Sequence, residues 1–159
     1  MKKVLFLLTV AVCSLLSANA QSENDLVISA GDLKKITLGD NMKVVLISSS
    51  DIPKEVRITK LLMDKLQVSV ANGAMLLVPN KKLTETVFVV VDKITKVTLG
   101  ENTSVRSSGF LRSDIDLYVS DGASVNLRTT GRLKAFPIGD TNLEIKSTPI
   151  SFTVATNIY

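Results

Sequence analysis

The sequence predicts an all-β chain in which short strands and a hairpin in the N-terminal half lead into a short coil of stacked rungs. Three observations predict it. From Leu26 onward apolar residues recur at every second position, the period of strands that bury one face. Valine, isoleucine and threonine dominate those stretches, as they do where β-branched side chains meet a pleated surface. A phrase also returns: Ile36-Thr37-Leu38-Gly39-Asp40-Asn41-Met42-Lys43-Val44 reappears as Val97-Thr98-Leu99-Gly100-Glu101-Asn102-Thr103-Ser104-Val105. It returns more loosely as Leu117-Tyr118-Val119-Ser120-Asp121-Gly122-Ala123-Ser124-Val125, twenty residues further on. A strand, a polar turn and a strand repeated at that spacing suit a coil whose rungs bury their apolar faces against neighbouring rungs.

Residues 1–20 read as a secretory signal, with Lys2 and Lys3 before an apolar run and Ala18-Asn19-Ala20 as a small-residue cleavage site. The run is too short to span a bilayer, and polar residues follow at once, so cleavage leaves no transmembrane anchor. Cys13 follows Val12 inside the run, a poor setting for lipid attachment, and it is the chain's only cysteine. The mature chain, 21–159, is then a single domain without disulfides, held by burial and backbone pairing. Two of the 19 basic residues leave with the signal, which halves the formal net charge of +4. Lys34-Lys35 and Lys81-Lys82 are the densest basic spots, and no basic stripe interleaved with aromatics marks a nucleic-acid partner.

In chain order, Gly31-Asp32 and Gly39-Asp40-Asn41 mark the first turns, and 58–66 has the leucine spacing of one helical turn. Leu66, Val68 and Val70 alternate with polar residues up to Asn72-Gly73, a pair suited to the positive φ of a tight hairpin, and 74–78 is the return strand. The uninterrupted apolar run 87–91 predicts a strand covered on both faces, where the halves of the domain meet. Alternation resumes at Ile115, Leu117 and Val119, at Val125 and Leu127, at Leu143 and Ile145, and at Ile150, Phe152 and Val154. Turns fall at Gly100-Glu101-Asn102, Asp121-Gly122 and Gly139-Asp140. An antiparallel meander would give similar strands; a coil over 94–156 is the preferred reading because rungs, not return strands, follow the Gly100 and Asp121 turns.

The passage Ile58-Thr59-Lys60-Leu61-Leu62-Met63-Asp64-Lys65-Leu66-Gln67-Val68-Ser69-Val70-Ala71-Asn72-Gly73-Ala74-Met75-Leu76-Leu77-Val78 follows a segment like 39–47 and precedes the Gly122-Ala123-Ser124 turn. In that order these pieces resemble the auto-transporter adhesin head, or GIN, domain family of exported bacterial envelope proteins, over roughly 32–131. The resemblance implies a β-rich fold with a right-handed parallel β-helix portion, a periplasmic or cell-surface location, and an adhesive role. Few Gly-Ala-Ser rungs are present, which makes this a short example.

Histidine is absent, and with it the commonest general base and metal ligand. A mature chain without cysteine also lacks thiolate zinc and iron–sulfur sites. The acidic candidates Asp40, Glu101, Asp121 and Asp140 fall at turns, where aspartate caps backbone groups. Calcium binding would want a denser aspartate–glycine repeat, and glycosidic cleavage a converging carboxylate pair. Asn41 and Asn102 occupy matching repeat positions, either as satisfied turn residues or as a stack of amides. Tyr118 is the outward aromatic suited to a sugar or a partner. Asn102-Thr103-Ser104 matches a glycosylation acceptor, set aside in a bacterial protein.

The expectation is a non-enzymatic exported module without catalytic, metal or cofactor residues. Its candidate partners are an envelope protein, a surface glycan or a second copy; the open ends of a coil favour self-association. Outward positions such as Lys96, Asp116 and Arg128 should then tolerate substitution. The alternative is a polysaccharide-binding or polysaccharide-processing β-helix protein using a carboxylate pair. A carrier with an apolar cavity is disfavoured, because Leu117, Val119, Val125 and Leu127 are large enough to fill the coil.

Overall fold

A computed structural model describes residues 25–29, 33–49, 55–59, 62, 64–139, 144–145 and 151–154, of which 25–29, 55–59, 144–145 and 151–154 are described by backbone alone. The expected signal segment, Cys13, Asp140 and the Gly31-Asp32 turn lie outside these residues. Of the expected helical turn over 58–66, residues 60, 61 and 63 lie outside as well; Ile58 and Thr59 end one strand, Leu66 begins the next, and Leu62 between them is buried.

The described elements are strands: β1 (Asp25–Ser29), β2 (Lys35–Leu38), β3 (Lys43–Ser48), β4 (Glu55–Thr59), β5 (Leu66–Ala71), β6 (Ala74–Pro79) and β7 (Thr86–Val91). There follow β8 (Lys96–Leu99), β9 (Ser104–Leu111), β10 (Ile115–Val119), β11 (Ser124–Thr129), β12 (Arg132–Pro137), β13 (Glu144–Ile145) and β14 (Ser151–Val154). They form a seven-stranded sheet ordered β14-β12-β10-β8-β2-β6-β5, a five-stranded sheet ordered β13-β11-β9-β3-β7, and an antiparallel pair β1-β4. From β6 onward successive strands alternate between the two larger sheets, and, the β5–β6 hairpin apart, their pairings are parallel. Neither sheet closes on itself. Parallel pairing excludes the antiparallel meander over this region.

Pairing is long-range and keeps the repeated phrases in register. Ile36 pairs with Val97 and Leu38 with Leu99, sixty-one residues on, while Leu117 pairs with Val97 and Val125 with Val105, twenty residues on. The N-terminal half therefore does not precede the stacked region; β2–β3 and β6–β7 are built into the same two sheets. The expected Asn72-Gly73 hairpin is present, with β5 antiparallel to β6 and both turn residues at positive φ, 51° and 70°.

Alternation decides which residues go inside. On the seven-stranded sheet Met75, Ile36, Val97, Leu117 and Ala135 form one inward row across the strands, and Leu77, Leu38, Leu99 and Val119 the next. Val87, Val44, Val105 and Val125 form the facing row of the other sheet. Both sets are buried in one core, so the sheets pack face to face, and each strand gains burial from the strands beside and opposite it. Leu117, Val119, Val125 and Leu127 are all buried there.

The turns leading from the first sheet to the second are stacked too. Asn41 (φ 55°), Asn102 (φ 51°) and Gly122 (φ 68°) take the left-handed conformation at equivalent positions, one that Asn and Gly adopt most cheaply. Asn41 N donates to Glu101 O at 2.8 Å and Asn102 N to Asp121 O at 2.9 Å. Beneath them lies Thr103, fully buried, whose hydroxyl donates to Gly39 O at 2.6 Å and accepts from Met42 N at 3.2 Å. At the opposite corner the buried Thr129 hydroxyl lies 2.7 Å from Ser113 O and 3.0 Å from Leu111 O, either of which can take its one proton, and it accepts from Gly131 N at 3.0 Å. A Cβ on Gly131 would lie 2.5 Å from the Ser113 backbone, so the chain passes too closely there for any other residue.

The run 87–91 is an edge strand of the five-stranded sheet, not a central one. Its outward Val90 is buried, whereas Phe88 is 48% exposed. The expected two-sided burial holds at one end of the strand and fails at the other.

Candidate functional site: the outer face of the seven-stranded sheet

Residues that alternate with the inward rows line up across the outer face of the seven-stranded sheet. Register sets Lys35, Lys96, Asp116 and Lys134 in one row, because Lys35 pairs with Lys96, Lys96 with Asp116 and Asp116 with Lys134. Two residues further along the strands, Leu76, Thr37, Thr98, Tyr118 and Phe136 form a second row. Strands about 4.8 Å apart make the first row roughly 14 Å long.

Tyr118 is half-buried, not freely exposed as its alternation suggested. Its ring stacks on Phe136, with centroids 4.8 Å apart and planes 12° from parallel. That spacing equals the strand separation, so the two rings stand on edge along the row. Lys96 Nζ lies 4.1 Å from the Tyr118 centroid. Since β8 and β12 flank β10 on opposite sides, the ammonium and the phenyl ring occupy opposite faces of the tyrosine. Sugar stacking on Tyr118 is therefore blocked, and the ring instead holds a cation. On β12 itself Lys134 Nζ lies 4.9 Å from the centroid of Phe136, two residues along the same strand.

A groove of about 340 Å³ opens beside these rows, lined by Asp114, Ile115, Asp116, Arg132, Leu133 and Lys134. At its end Arg132 donates from its backbone N to Asp114 Oδ1 at 2.8 Å, and from Nε and Nη2 to Oδ2 at 3.2 and 2.9 Å. These backbone and guanidinium bonds hold the Asp114 carboxyl below its ordinary pKa. A second groove, about 560 Å³, lies at the end of the stack between Asp40, Asn41 and the 78–83 segment, with Lys81 and Lys82 on its rim.

Asp40, Glu101 and Asp121 are exposed in successive stacked turns, and Asp40 Oδ1 accepts the Glu101 N–H at 2.8 Å. Among the described residues no group of three or more His, Cys, Asp or Glu gathers for a metal. Asn41 and Asn102 act as turn residues, and Asn102 Oδ1 lies where a Cβ on Gly122 would be, 2.2 Å away. Asp116 and Arg128 are exposed as expected, whereas Lys96 is half-covered and engaged with Tyr118. No helix among the described residues is long and apolar enough to cross a membrane.

Phe136 and its strand β12 escaped the sequence reading. The signal was present: Leu133 and Ala135 alternate with Lys134 and Phe136, eighteen residues after Ile115 and Leu117 alternate with Asp116 and Tyr118. Pro137 and the short run obscured it. The basic and aromatic residues interleave only across strands, which no linear scan of charge detects.

No protein-family model matches the chain, and no curated protein does. Among solved structures, that of a Bacteroides fragilis protein described as a putative adhesin is similar over 84% of this chain and 93% of its own, at 11% identity and a TM-score of 0.38. Likeness at that level assigns neither a family nor a role.

Proposed function

We propose that this chain is an exported bacterial envelope module of the GIN kind, built as a short right-handed β-solenoid, which binds a partner and carries out no chemistry. The observation that supports this reading is the outer face of the seven-stranded sheet. Charged and aromatic side chains there are held in rows by strand register, while the acidic turn residues are arranged for turn stacking. Fixed rows on a rigid sheet favour recognition, because little side-chain freedom remains to be lost on contact.

Expression of the full chain in a diderm bacterium, followed by fractionation and N-terminal sequencing, tests the export half. The expected product begins at Gln21 in the periplasmic or outer-membrane fraction; a cytoplasmic product with Met1 or Lys2 at its start overturns it. A reducing-end assay over a panel of plant and bacterial polysaccharides tests the other half. Depolymerisation that Glu101→Gln or Asp121→Asn abolishes would replace the binding module with an enzyme using a carboxylate pair.

A further inference from the structure

We infer that the outer face of the five-stranded sheet, around β9 and β11, docks on an anionic phospholipid bilayer. This goes beyond the binding-module reading above and uses the opposite side of the molecule.

Charge is one-sided on this face. Strand register puts Lys43, Arg106 and Arg128 at outward positions of β3, β9 and β11, and all three are exposed. No acidic residue occupies an outward position on β3, β7, β9 or β11. Among the described residues the one acid in register with the face is Glu144, beside Ser124 on the two-residue edge strand β13. The side chains of Lys43, Arg106 and Arg128 enter no ion pair or hydrogen bond among the described residues. On the other sheet, by contrast, Lys96 and Lys134 lie over rings and Arg132 is bound to Asp114. The free cations are therefore on the five-stranded side.

An apolar group stands among them. Phe110, paired in register with Arg128, is 52% exposed, the most exposed large apolar side chain described. The β9 bulge carries it: Gly109, just before it, takes φ 99°, a conformation suited to glycine. Two bonds fix the bulge, from Ser48 Oγ to Phe110 O at 2.7 Å and from Arg128 N to Ser107 Oγ at 2.8 Å. A second outward ring, Phe88, lies across Val45 from Arg106. A phenyl ring held in water forgoes burial that it regains beneath a layer of headgroups. Beside it the arginines reach phosphate oxygens while their stems follow the apolar boundary. The ladder neighbours of Phe110, among them Ser108, Asn126 and Arg128, are polar or charged. They suit a hydrated headgroup layer better than the apolar centre of a protein interface. A soluble polyanion would use the cations and leave the ring in water, so cations and ring together select a bilayer. Because the two sheets pack face to face, docking here turns the seven-stranded face away from the lipid.

The chain has no tryptophan, so Phe110→Trp supplies a lone fluorescent reporter. Leu76→Trp, exposed on the seven-stranded sheet, supplies its control. Each is titrated as the chain from Gln21 on, without the apolar run 4–16 that would itself enter lipid, using vesicles of equal phosphatidylglycerol and phosphatidylcholine. Emission of Phe110→Trp should move to the blue and be quenched by lipids brominated in the upper acyl chain; that of Leu76→Trp should do neither. Vesicles of phosphatidylcholine alone should bind about tenfold more weakly, and about 0.5 M salt should remove most of the binding. Added to the reporter, Arg106→Glu or Arg128→Glu should weaken partitioning about tenfold. Lys35→Glu makes the same charge change on the other face, where Lys35 pairs with Lys96, and should alter it less than about twofold. Phe110→Ser should weaken co-sedimentation with the anionic vesicles about fivefold. The inference falls if the parent chain does not sediment with those vesicles, if Leu76→Trp responds as Phe110→Trp does, or if phosphatidylcholine alone binds as well. It falls equally if Phe110→Ser binds like the parent, or if inorganic polyphosphate moves the Phe110→Trp emission as far as vesicles do, which would make the occupant a soluble polyanion. None of these results bears on export or depolymerisation, so the proposed function stands or falls separately.

Discussion

The two larger sheets share a core and differ on the outside. On the five-stranded sheet the outward Val45 and Val90 are only 4% and 7% exposed, and β4 of the separate two-stranded sheet packs against β7. Its strand β9 is irregular as well. Between Asn126 and Arg128 the pairing jumps from Arg106 to Phe110, so Ser107, Ser108 and Gly109 face one residue of β11. Arg128 N then donates to Ser107 Oγ at 2.8 Å in place of a ladder bond. The outer face of β2, β8, β10 and β12 has no such interruption, and its side chains keep rows of charge and aromatic rings. Covering part of one face serves stability; a regular, open face serves contact.

The largest test of that difference places a charge on each face. Val90→Asp buries an unpaired carboxylate and should cost about 3 kcal/mol or more, whereas Thr98→Asp on the open face should stay within about 0.5 kcal/mol. Urea unfolding measures both, and equal losses would mean that the faces are alike. Next, a double-mutant cycle of Tyr118→Leu and Phe136→Leu should give a coupling of about 0.5–1.5 kcal/mol. Additivity would mean that the stacked rings stabilise only by separate burial. Lys35→Glu should stabilise the chain by about 0.2–1 kcal/mol, an effect that 1 M salt should largely remove.

The smallest effect concerns the end where β5 and β7 are the outermost strands. There Lys65 Nζ and Glu85 Oε1 are 2.5 Å apart, linking the approaches to these two strands. Lys65, with backbone and Thr84 hydrogen bonds, lowers the Glu85 pKa from 4.5 to about 2. A carboxyl depressed in the folded state contributes fully above its unfolded value and loses that contribution as pH falls through its folded value. Stability should therefore drop between about pH 4.5 and pH 2, less so in Glu85→Gln. Thermal melts across that window check the sign, and the change should be small because the pair is exposed to solvent.

Much of the local structure was legible in the residues. The Asn72-Gly73 hairpin follows from two residues that tolerate positive φ, and the Gly39, Gly100 and Asp121 turns from the same chemistry. Leu117 and Val119 were readable as inward because nothing but burial explains their alternation with Asp116 and Tyr118. The run 87–91 misled, because uniform apolarity does not say which neighbour covers which face. Tyr118 misled as well: alternation gave its direction but not Phe136 and Lys96 on either side of it.

By itself the amino-acid order determined what each residue can know from its near neighbours: a strand period of two, the left-handed turn positions and the class of all-β chain. Only the tertiary structure decided that residue 35 lies beside residue 96 and residue 118 beside residue 136. Lateral register is selected by fitting the inward rows of distant strands into one core, and the outer rows follow passively from that fit. The surface proposed here for binding is thus written in the sequence as scattered letters, and the burial of Ile36, Val97, Leu117 and Ala135 brings it into line.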